Sequence, residues 1–157
     1  MQSPEATVAK LEQRIKRMED IEAIKNLKNR YVFSIDTGRL EDAIATFSEK
    51  AVADYGVLGL YKGRKAIGDF LTAGSTFSVH HLHNPQIEIV TDTTAKGTWE
   101  LQAMIHLVAT DKAYWMVGYY TDEYVKERGG WKQGKFQITW QTITEYEQGW
   151  VKQRMAM

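Results

Sequence analysis

The sequence predicts an α+β domain in which a cone-shaped, strongly curved antiparallel sheet packs on N-terminal helices. Apolar residues recur at helical spacing as far as Leu71, and beyond Thr76 the apolar period falls to two. Helices followed by a run of hairpin-connected strands are typical of an α+β arrangement. Because long strands twist and coil, we expect a cone that is open at one end and encloses a pocket.

The first helix begins at Pro4, since proline suits the first turn of a helix, and ends where Thr37-Gly38 supplies a stop. We expect a break or bend near residues 17–20. Residues 1–19 are interpreted as a helical extension of one domain spanning residues 1–157. The predicted inward stripe of this helix runs through Val8, Leu11, Ile15, Met18, Ile21, Ile24, Leu27, Tyr31 and Ile35.

Shorter elements follow the first helix. A helix with Leu40, Ile44 and Phe47 on one face precedes a short strand at residues 51–55 and a helix at residues 63–71. Short polar or Gly-Gly connections separate the later strands and indicate antiparallel hairpins. These four long strands are predicted at residues 79–90, 95–110, 113–128 and 134–147.

Composition excludes several classes of function. The 157 residues fit one domain, and 20 basic against 20 acidic residues leave no surplus charge for binding a phosphate backbone. The absence of cysteine excludes disulfides and thiolate chemistry. No apolar run is long enough to cross a bilayer, and the polar N-terminus does not resemble a signal peptide. We therefore expect a cytoplasmic protein with no nucleic-acid or membrane partner, and its zero net charge favours a homo-oligomer.

Tyr31 and Asp36 form the first candidate site, in the segment NRYVFSIDTG at the end of the first helix. Five residues are about 1.4 helical turns, so the two side chains point in neighbouring directions. Asp36 follows apolar Phe33 and Ile35, where an unpaired carboxylate would be costly. The alternative is a solvated aspartate before a turn, where this residue type is common.

Three of the four histidines lie in the segment VHHLHNP. On a strand His80 shares one face with Leu82, and His81 and His83 share the other. His80 is therefore a candidate base that points into the cavity. The i, i+2 pair of His81 and His83 could instead bind a metal, which would need a third ligand, or all three could be structural.

Aromatic residues supply the expected lining of the pocket. Tyrosine and tryptophan combine an apolar body with a polar tip, which suits a site for a ring-shaped ligand. The candidate substrate-binding residues are Phe33, Tyr55, Trp99, Tyr119 and Trp140.

The order of several short motifs resembles the SnoaL-like group of the nuclear-transport-factor-2-like superfamily, nearest the bile-acid 7α-dehydratase and scytalone dehydratase-like subgroup. The motifs are D20-IEAIKNLKNR-Y31, I35-D36, G63-RKAI, V79-H80 with N84-PQIEI, and Y120-TDEY with G129-GW. The resemblance implies a cystatin-like α+β barrel that commonly forms dimers or trimers. The subgroup's arginine on the last strand is replaced here by Trp140, and Lys135 is a candidate substitute.

The resemblance also implies the roles of Tyr31, Asp36 and His80 as catalytic residues. An imidazole, whose ordinary pKa is near neutrality, takes a proton beside a carbonyl while an aspartate fixes its tautomer and a tyrosine hydroxyl donates to oxygen. We expect a cofactor-independent, metal-independent dehydratase that removes water from a small hydrophobic, cyclic hydroxy-ketone, either steroid-like or polyketide-like. An isomerase or cyclase with the same pocket, and a non-catalytic binding domain, are the alternatives.

Overall fold

The protein is described here by a computed structural model that covers residues 3–147 and residue 152. A 3₁₀ turn (Gly56–Leu58) interrupts the order of helices and strands. The elements are α1 (Pro4–Asp36), α2 (Leu40–Ile44), β1 (Phe47–Asp54), β2 (Leu60–Lys62), α3 (Arg64–Gly74), β3 (Ser75–Thr91), β4 (Thr94–Leu107), β5 (Lys112–Glu127) and β6 (Gly130–Glu145).

Both ends of α1 follow the sequence signals. The Ser3 hydroxyl accepts a hydrogen bond from the N–H of Ala6, and Pro4 is the first helical residue. At the other end Gly38 has a φ of 72°, and the N–H of Arg39 donates to the carbonyl of Ser34 at 2.7 Å. The expected break near residues 17–20 is wrong, because α1 continues as one helix of 33 residues.

A change of face in the apolar stripe explains that error. At about 100° per residue, Val8 to Met18 centre on one side of α1, whereas Ile24, Leu27 and Tyr31 centre roughly opposite. The structure agrees with this geometry, since the second set is buried and Val8 and Met18 are 53% and 65% exposed. The stripe moves to the other side of an unbroken helix.

The six strands form one sheet in the order β2-β1-β6-β5-β4-β3. The four long strands are confirmed, and they pair antiparallel with their sequence neighbours. The expectation of a wholly antiparallel sheet is wrong for one pair, because β1 runs parallel to β6. Phe47, expected on a helix, is the first residue of β1, and the three-residue strand β2 had no sequence signal.

The helices cover one face of this curved sheet, with α1 against β3 and β6 and α3 against β1. The main core lies between them and contains Tyr31, Phe47, Met116 and Phe136. A second cluster joins the middle of α1 to the Trp131 hairpin through Ile24, Leu27 and Tyr124. Among the residues that the structure describes, no helix combines the length and the apolar character that crossing a membrane requires.

Candidate active site

The end of α1 delivers a carboxylate to the start of β3. Asp36 is the last residue of α1, and its carboxylate accepts three hydrogen bonds from β3. The Ser78 hydroxyl donates at 2.8 Å, the backbone N–H of His80 at 2.8 Å, and Nδ1 of the same imidazole lies 2.6 Å from Oδ1. Ser78 and His80 share a strand face, so β3 presents both to one carboxylate.

These contacts determine which nitrogen of His80 is free. An ionised carboxylate only accepts hydrogen bonds, so Nδ1 of His80 carries the proton and donates it to Asp36. Nε2 then has a lone pair and can act as a base. His80 lines an apolar cavity, and its side chain is 10% exposed.

Two tyrosine hydroxyls meet in the same cavity. The oxygens of Tyr31 and Tyr55 are 3.1 Å apart, and both side chains are buried. Burial raises the pKa of both phenols well above the ordinary value for tyrosine. Both therefore keep their protons at neutral and moderately alkaline pH. One of the two protons forms the mutual bond, and the other remains available to a ligand.

The rest of the cavity wall is mostly apolar. Its volume is about 70 Å³, and its walls come from α1, the turn after β1, α3 and strands β3 to β6. Tyr120 of β5 is a third tyrosine in the wall, and its hydroxyl has no protein partner within the described residues. The remaining lining residues are Ile35, Leu58, Phe70, Leu71, Gly74, Ile105, Leu107, Ile138 and Trp140.

Trp140 faces the cavity because of an irregularity in β6. A register shift opposite Glu123 and Tyr124 changes the phase of β6, so Phe136, Ile138 and Trp140 face inward after it. The indole N–H of Trp140 donates to the carbonyl of Tyr55 at 2.9 Å. Trp140 thus supports the turn that carries Tyr55, and Lys135 lies on the outer side at 3.9 Å from a carboxylate oxygen of Glu123.

Three of the predicted lining residues lie elsewhere. Phe33 is 59% exposed, and the Arg39 guanidinium lies 5.1 Å from the centre of its ring. Tyr119 points to the outer face of the sheet, because the phase of β5 places its neighbour Tyr120 inward. Trp99 is buried in the core, where its indole N–H donates to the Tyr124 hydroxyl. Phe33, Trp99 and Tyr119 therefore do not line the cavity that contains His80.

Other polar groups near the site escaped sequence reasoning. Ser78, which donates to Asp36, is one of them, and its i, i+2 spacing from His80 on one strand was an available signal. Lys28 and Asp122 form a fully buried ion pair at 2.6 Å, next to the tyrosines of the cavity wall. The Lys28 ammonium lies 3.6 Å from the centre of the Tyr120 ring. No sequence pattern pairs two charges 94 residues apart.

The remaining histidines are separate from the cavity. His81 and His83 lie on the exposed side of β3 with parallel rings 6.2 Å apart. His106 contacts the Thr76 hydroxyl and the Asp111 carboxylate. Within the described residues, no group of three His, Asp or Glu side chains has the arrangement of a metal site.

The architecture and the site define a class of protein: a helix-covered, curved sheet around a small apolar cavity with one imidazole and several tyrosines in its wall. A family model for the SnoaL-like domain matches residues 16–136. The chain belongs to this family.

Solved structures share this fold. One is a protein of Novosphingobium aromaticivorans provisionally named scytalone dehydratase, with a TM-score of 0.76, 22% identity, and 85% of this chain and 92% of that chain covered. A type 2 hexachlorocyclohexane dehydrochlorinase has a TM-score of 0.77 at 20% identity, covering 86% and 94%. A type 3 form from Novosphingobium barchaimii has a TM-score of 0.75 at 20% identity, covering 85% and 94%. At these identities the likeness shows the fold.

Proposed function

We propose that the protein is a cofactor-independent lyase, a dehydratase that removes water from a cyclic hydroxy-ketone of steroid-like or polyketide-like character. One observation carries the proposal: the imidazole of His80 is held by Asp36 through Nδ1 while it lines an apolar cavity. The tyrosine pair and the names of two structurally similar proteins, a dehydratase and a dehydrochlorinase, support it further.

The first step is removal of a proton from carbon. Nε2 of His80 takes the proton beside the substrate carbonyl, and the electron pair of the broken C–H bond forms the enolate. The Asp36 carboxylate stabilises the resulting imidazolium and keeps the ring in place. The apolar wall strengthens this interaction, because charges attract more strongly where water is excluded.

The second step is loss of the hydroxyl group. The hydroxyl proton left free by the bond between Tyr31 and Tyr55 donates to the enolate oxygen and stabilises its charge. The carbon–oxygen bond then breaks as the enolate collapses to the conjugated ketone. The imidazolium of His80 returns its proton to the departing oxygen, so water leaves and the imidazole is restored.

The cavity volume limits the substrate in this conformation. Ligand pockets usually measure roughly 300–1,000 Å³, whereas the present cavity is about 70 Å³. Entry of a ring-shaped substrate therefore requires part of the wall to move. Leu58 belongs to a 3₁₀ turn of three residues, and the neighbouring Val57 is 80% exposed, so this turn is a candidate for the part of the wall that moves.

An isomerase or cyclase is the second candidate, and one observation favours it. His80 is the one histidine in the described cavity wall, which contains no carboxylate and no lysine, so the same imidazole that removes a proton is placed to deliver one to another atom of the substrate. Return to a second carbon would isomerise a ketone, and return to oxygen would complete a dehydration. The product distinguishes these reactions.

The test compares two neighbouring histidines. A panel of cyclic β-hydroxy-ketones of increasing size is incubated with the protein, and the conjugated product is followed by absorbance and mass spectrometry. We expect His80→Ala to lose about 10²–10⁴-fold in rate, the usual contribution of a positioned base. His81→Ala is the matched control, since it removes an exposed imidazole from the other strand face and should retain full rate.

Two results would contradict this function. Equal rates for His80→Ala and the native protein would remove the base from the mechanism. Ligand binding without turnover of any panel member would instead indicate a non-catalytic binding domain, and native mass spectrometry of the purified protein would then identify the molecule it carries.

A further inference from the structure

The N-terminal half of α1 has an exposed apolar face that belongs to neither core cluster of the described chain. All residues from 3 to 19 are exposed, and Val8, Leu11, Ile15 and Met18 are each about half exposed or more. Lys16 of this segment forms an ion pair with Asp92 of the turn between β3 and β4, and both side chains are well exposed. Four large apolar side chains on one face of an ordered helix are typical of an interaction surface.

The spacing of these four residues is that of a coiled-coil seam. The intervals are three, four and three residues, so Val8 and Ile15 occupy a positions and Leu11 and Met18 occupy d positions of two heptads. Two heptads would be short for an isolated peptide. Here the helix is already ordered, because its second half is packed against the core.

The residue types at the seam indicate the number of strands. β-Branched residues at a with unbranched or γ-branched residues at d favour two parallel helices over three or four. Val8 and Ile15 are the β-branched pair, and Leu11 and Met18 follow the rule for d.

The flanking charges indicate the direction of the partner. All three e positions are glutamates, Glu5, Glu12 and Glu19, whereas the charged g position is Arg14. In a parallel pair the e flank of one helix lies beside the g flank of the other, so Arg14 meets Glu19 of the second copy twice by symmetry. In an antiparallel pair the e flank of one helix lies beside the e flank of the other, which would place glutamate against glutamate.

The direction of the seam leaves room for a second copy. The seam lies about 180° around α1 from the face that packs on the core. Two chains joined along the seam therefore hold their domains on opposite sides of the helix pair. Three of the four seam residues precede residue 16, where the match to the family model begins, so the fold shared with the family does not account for them.

We propose that the N-terminal half of α1 pairs with the same segment of a second copy in a parallel, two-stranded coiled coil centred on Val8, Leu11, Ile15 and Met18. The inference concerns assembly and is independent of the reaction proposed above.

Site-directed disulfides test the pairing, and the absence of native cysteine makes the result unambiguous. In a parallel dimer each d residue faces itself, within the Cα separation of roughly 4–7 Å that a disulfide needs. Met18→Cys in the full chain should therefore give a covalent dimer under mild oxidation. In an antiparallel pair the two Met18 positions would be about 15 Å apart, and a mixture of Val8→Cys and Met18→Cys chains would crosslink instead.

Controls and charge exchange complete the experiment. Gln13→Cys lies on the opposite side of the same helix and should remain monomeric on a denaturing gel. In sedimentation equilibrium, Arg14→Glu or Glu19→Arg should weaken the dimer by about 10-fold or more, and the double exchange should restore it.

Several outcomes would overturn the proposal. They are crosslinking only in the mixed Val8→Cys and Met18→Cys sample, absence of any crosslink at Met18→Cys, and loss of assembly in the double exchange. Co-sedimentation with vesicles of phosphatidylglycerol and phosphatidylcholine, abolished by Leu11→Glu but not by Gln13→Glu, would assign the apolar face to a lipid surface instead.

Discussion

At the scale of single residues, the position of Asp36 explains why it needs so many partners. A helix C-terminus carries partial negative charge, so a carboxylate there is unfavourable unless other groups compensate. The last turn of α1 contains no basic residue. Three donors from β3 replace that missing compensation, and two of them come from His80. The interaction that stabilises the carboxylate also orients the imidazole.

Replacement of this carboxylate by an amide tests the orientation. In Asp36→Asn the new N–H₂ group donates to Nδ1 of His80, which shifts the ring proton to Nε2 and removes the free base. We expect turnover to fall about 10²–10⁴-fold, and ¹⁵N shifts of the ring to report the exchanged tautomer. Ser78→Ala is the control, because it keeps the carboxylate and should lose much less. Unchanged turnover in Asp36→Asn would contradict the assigned role.

Sequence patterns located Asp36 and His80 but not every residue that surrounds them in the cavity. Tyr31, Asp36 and His80 follow from helix and strand periodicity together with the family resemblance. The alternation of inward and outward residues along β5 was predicted correctly. The assignment of residues to the inward face was wrong, because Tyr119 was predicted to line the pocket and its neighbour Tyr120 faces inward instead. Phase depends on which sheet face the helices cover, and that is a tertiary property. Contacts over 44 residues, such as the one between Asp36 and His80, are likewise absent from local patterns.

At the scale of elements, a buried ion pair joins α1 to β5. The Lys28 ammonium lies 2.6 Å from Asp122, and neither side chain is exposed to solvent. Burial lowers the pKa of Lys28 to about 8 despite the neighbouring carboxylate, and burial raises the pKa of Asp122. Tyr124 donates a further hydrogen bond to the same carboxylate oxygen. The two elements are therefore held by charges that depend on each other.

Single and double replacements separate the cost of burying an unpaired charge from the net contribution of the ion pair. Lys28→Met leaves the Asp122 carboxylate buried without its counter-charge, and we expect the free energy of unfolding to fall by about 3–5 kcal/mol. Urea denaturation measures this difference. The double variant Lys28→Met, Asp122→Leu removes both charges and should recover most of the loss. A double variant as unstable as the single one would show that the pair stabilises the fold outright.

The elements also show where sequence reasoning ends. Regular apolar spacing predicted the four long strands, and the Ser3-Pro4 and Thr37-Gly38 signals predicted both ends of α1. The parallel pairing of β1 with β6 was missed, because nothing in either segment specifies a partner more than 75 residues away. In α1 the apolar stripe changes face after Met18, which resembled a helix break in the sequence. The helix continues, and only its second half packs against the core.

At the scale of the whole molecule, buried phenols make the fold sensitive to alkali. Burial raises the pKa of Tyr31, Tyr55, Tyr120 and Tyr124 above the ordinary value of 10.0. Above about pH 10 the unfolded chain loses these protons and the folded chain keeps them, so stability present below that pH is lost as pH rises.

Alkaline denaturation measures this effect. Above about pH 10 each buried tyrosine should reduce the free energy of unfolding by up to about 1.4 kcal/mol per pH unit. Unfolding should coincide with a cooperative rise in tyrosinate absorbance. Tyr120→Phe should reduce the slope by the contribution of one proton. Gradual ionisation of all tyrosines in the folded protein would contradict the burial of these four hydroxyls.

Hydrogen exchange at carbon is the most direct measurement of proton removal by His80. The native protein is incubated in deuterated water with cyclic ketones that lack a hydroxyl group, and NMR follows deuterium at the carbon beside the carbonyl. This needs no leaving group, so it examines the base alone. We predict exchange that depends on the native protein, is lost about 10²–10⁴-fold in His80→Ala and persists in His81→Ala. Binding of the same ketones without exchange, or equal exchange in His80→Ala, would show that His80 is not the base.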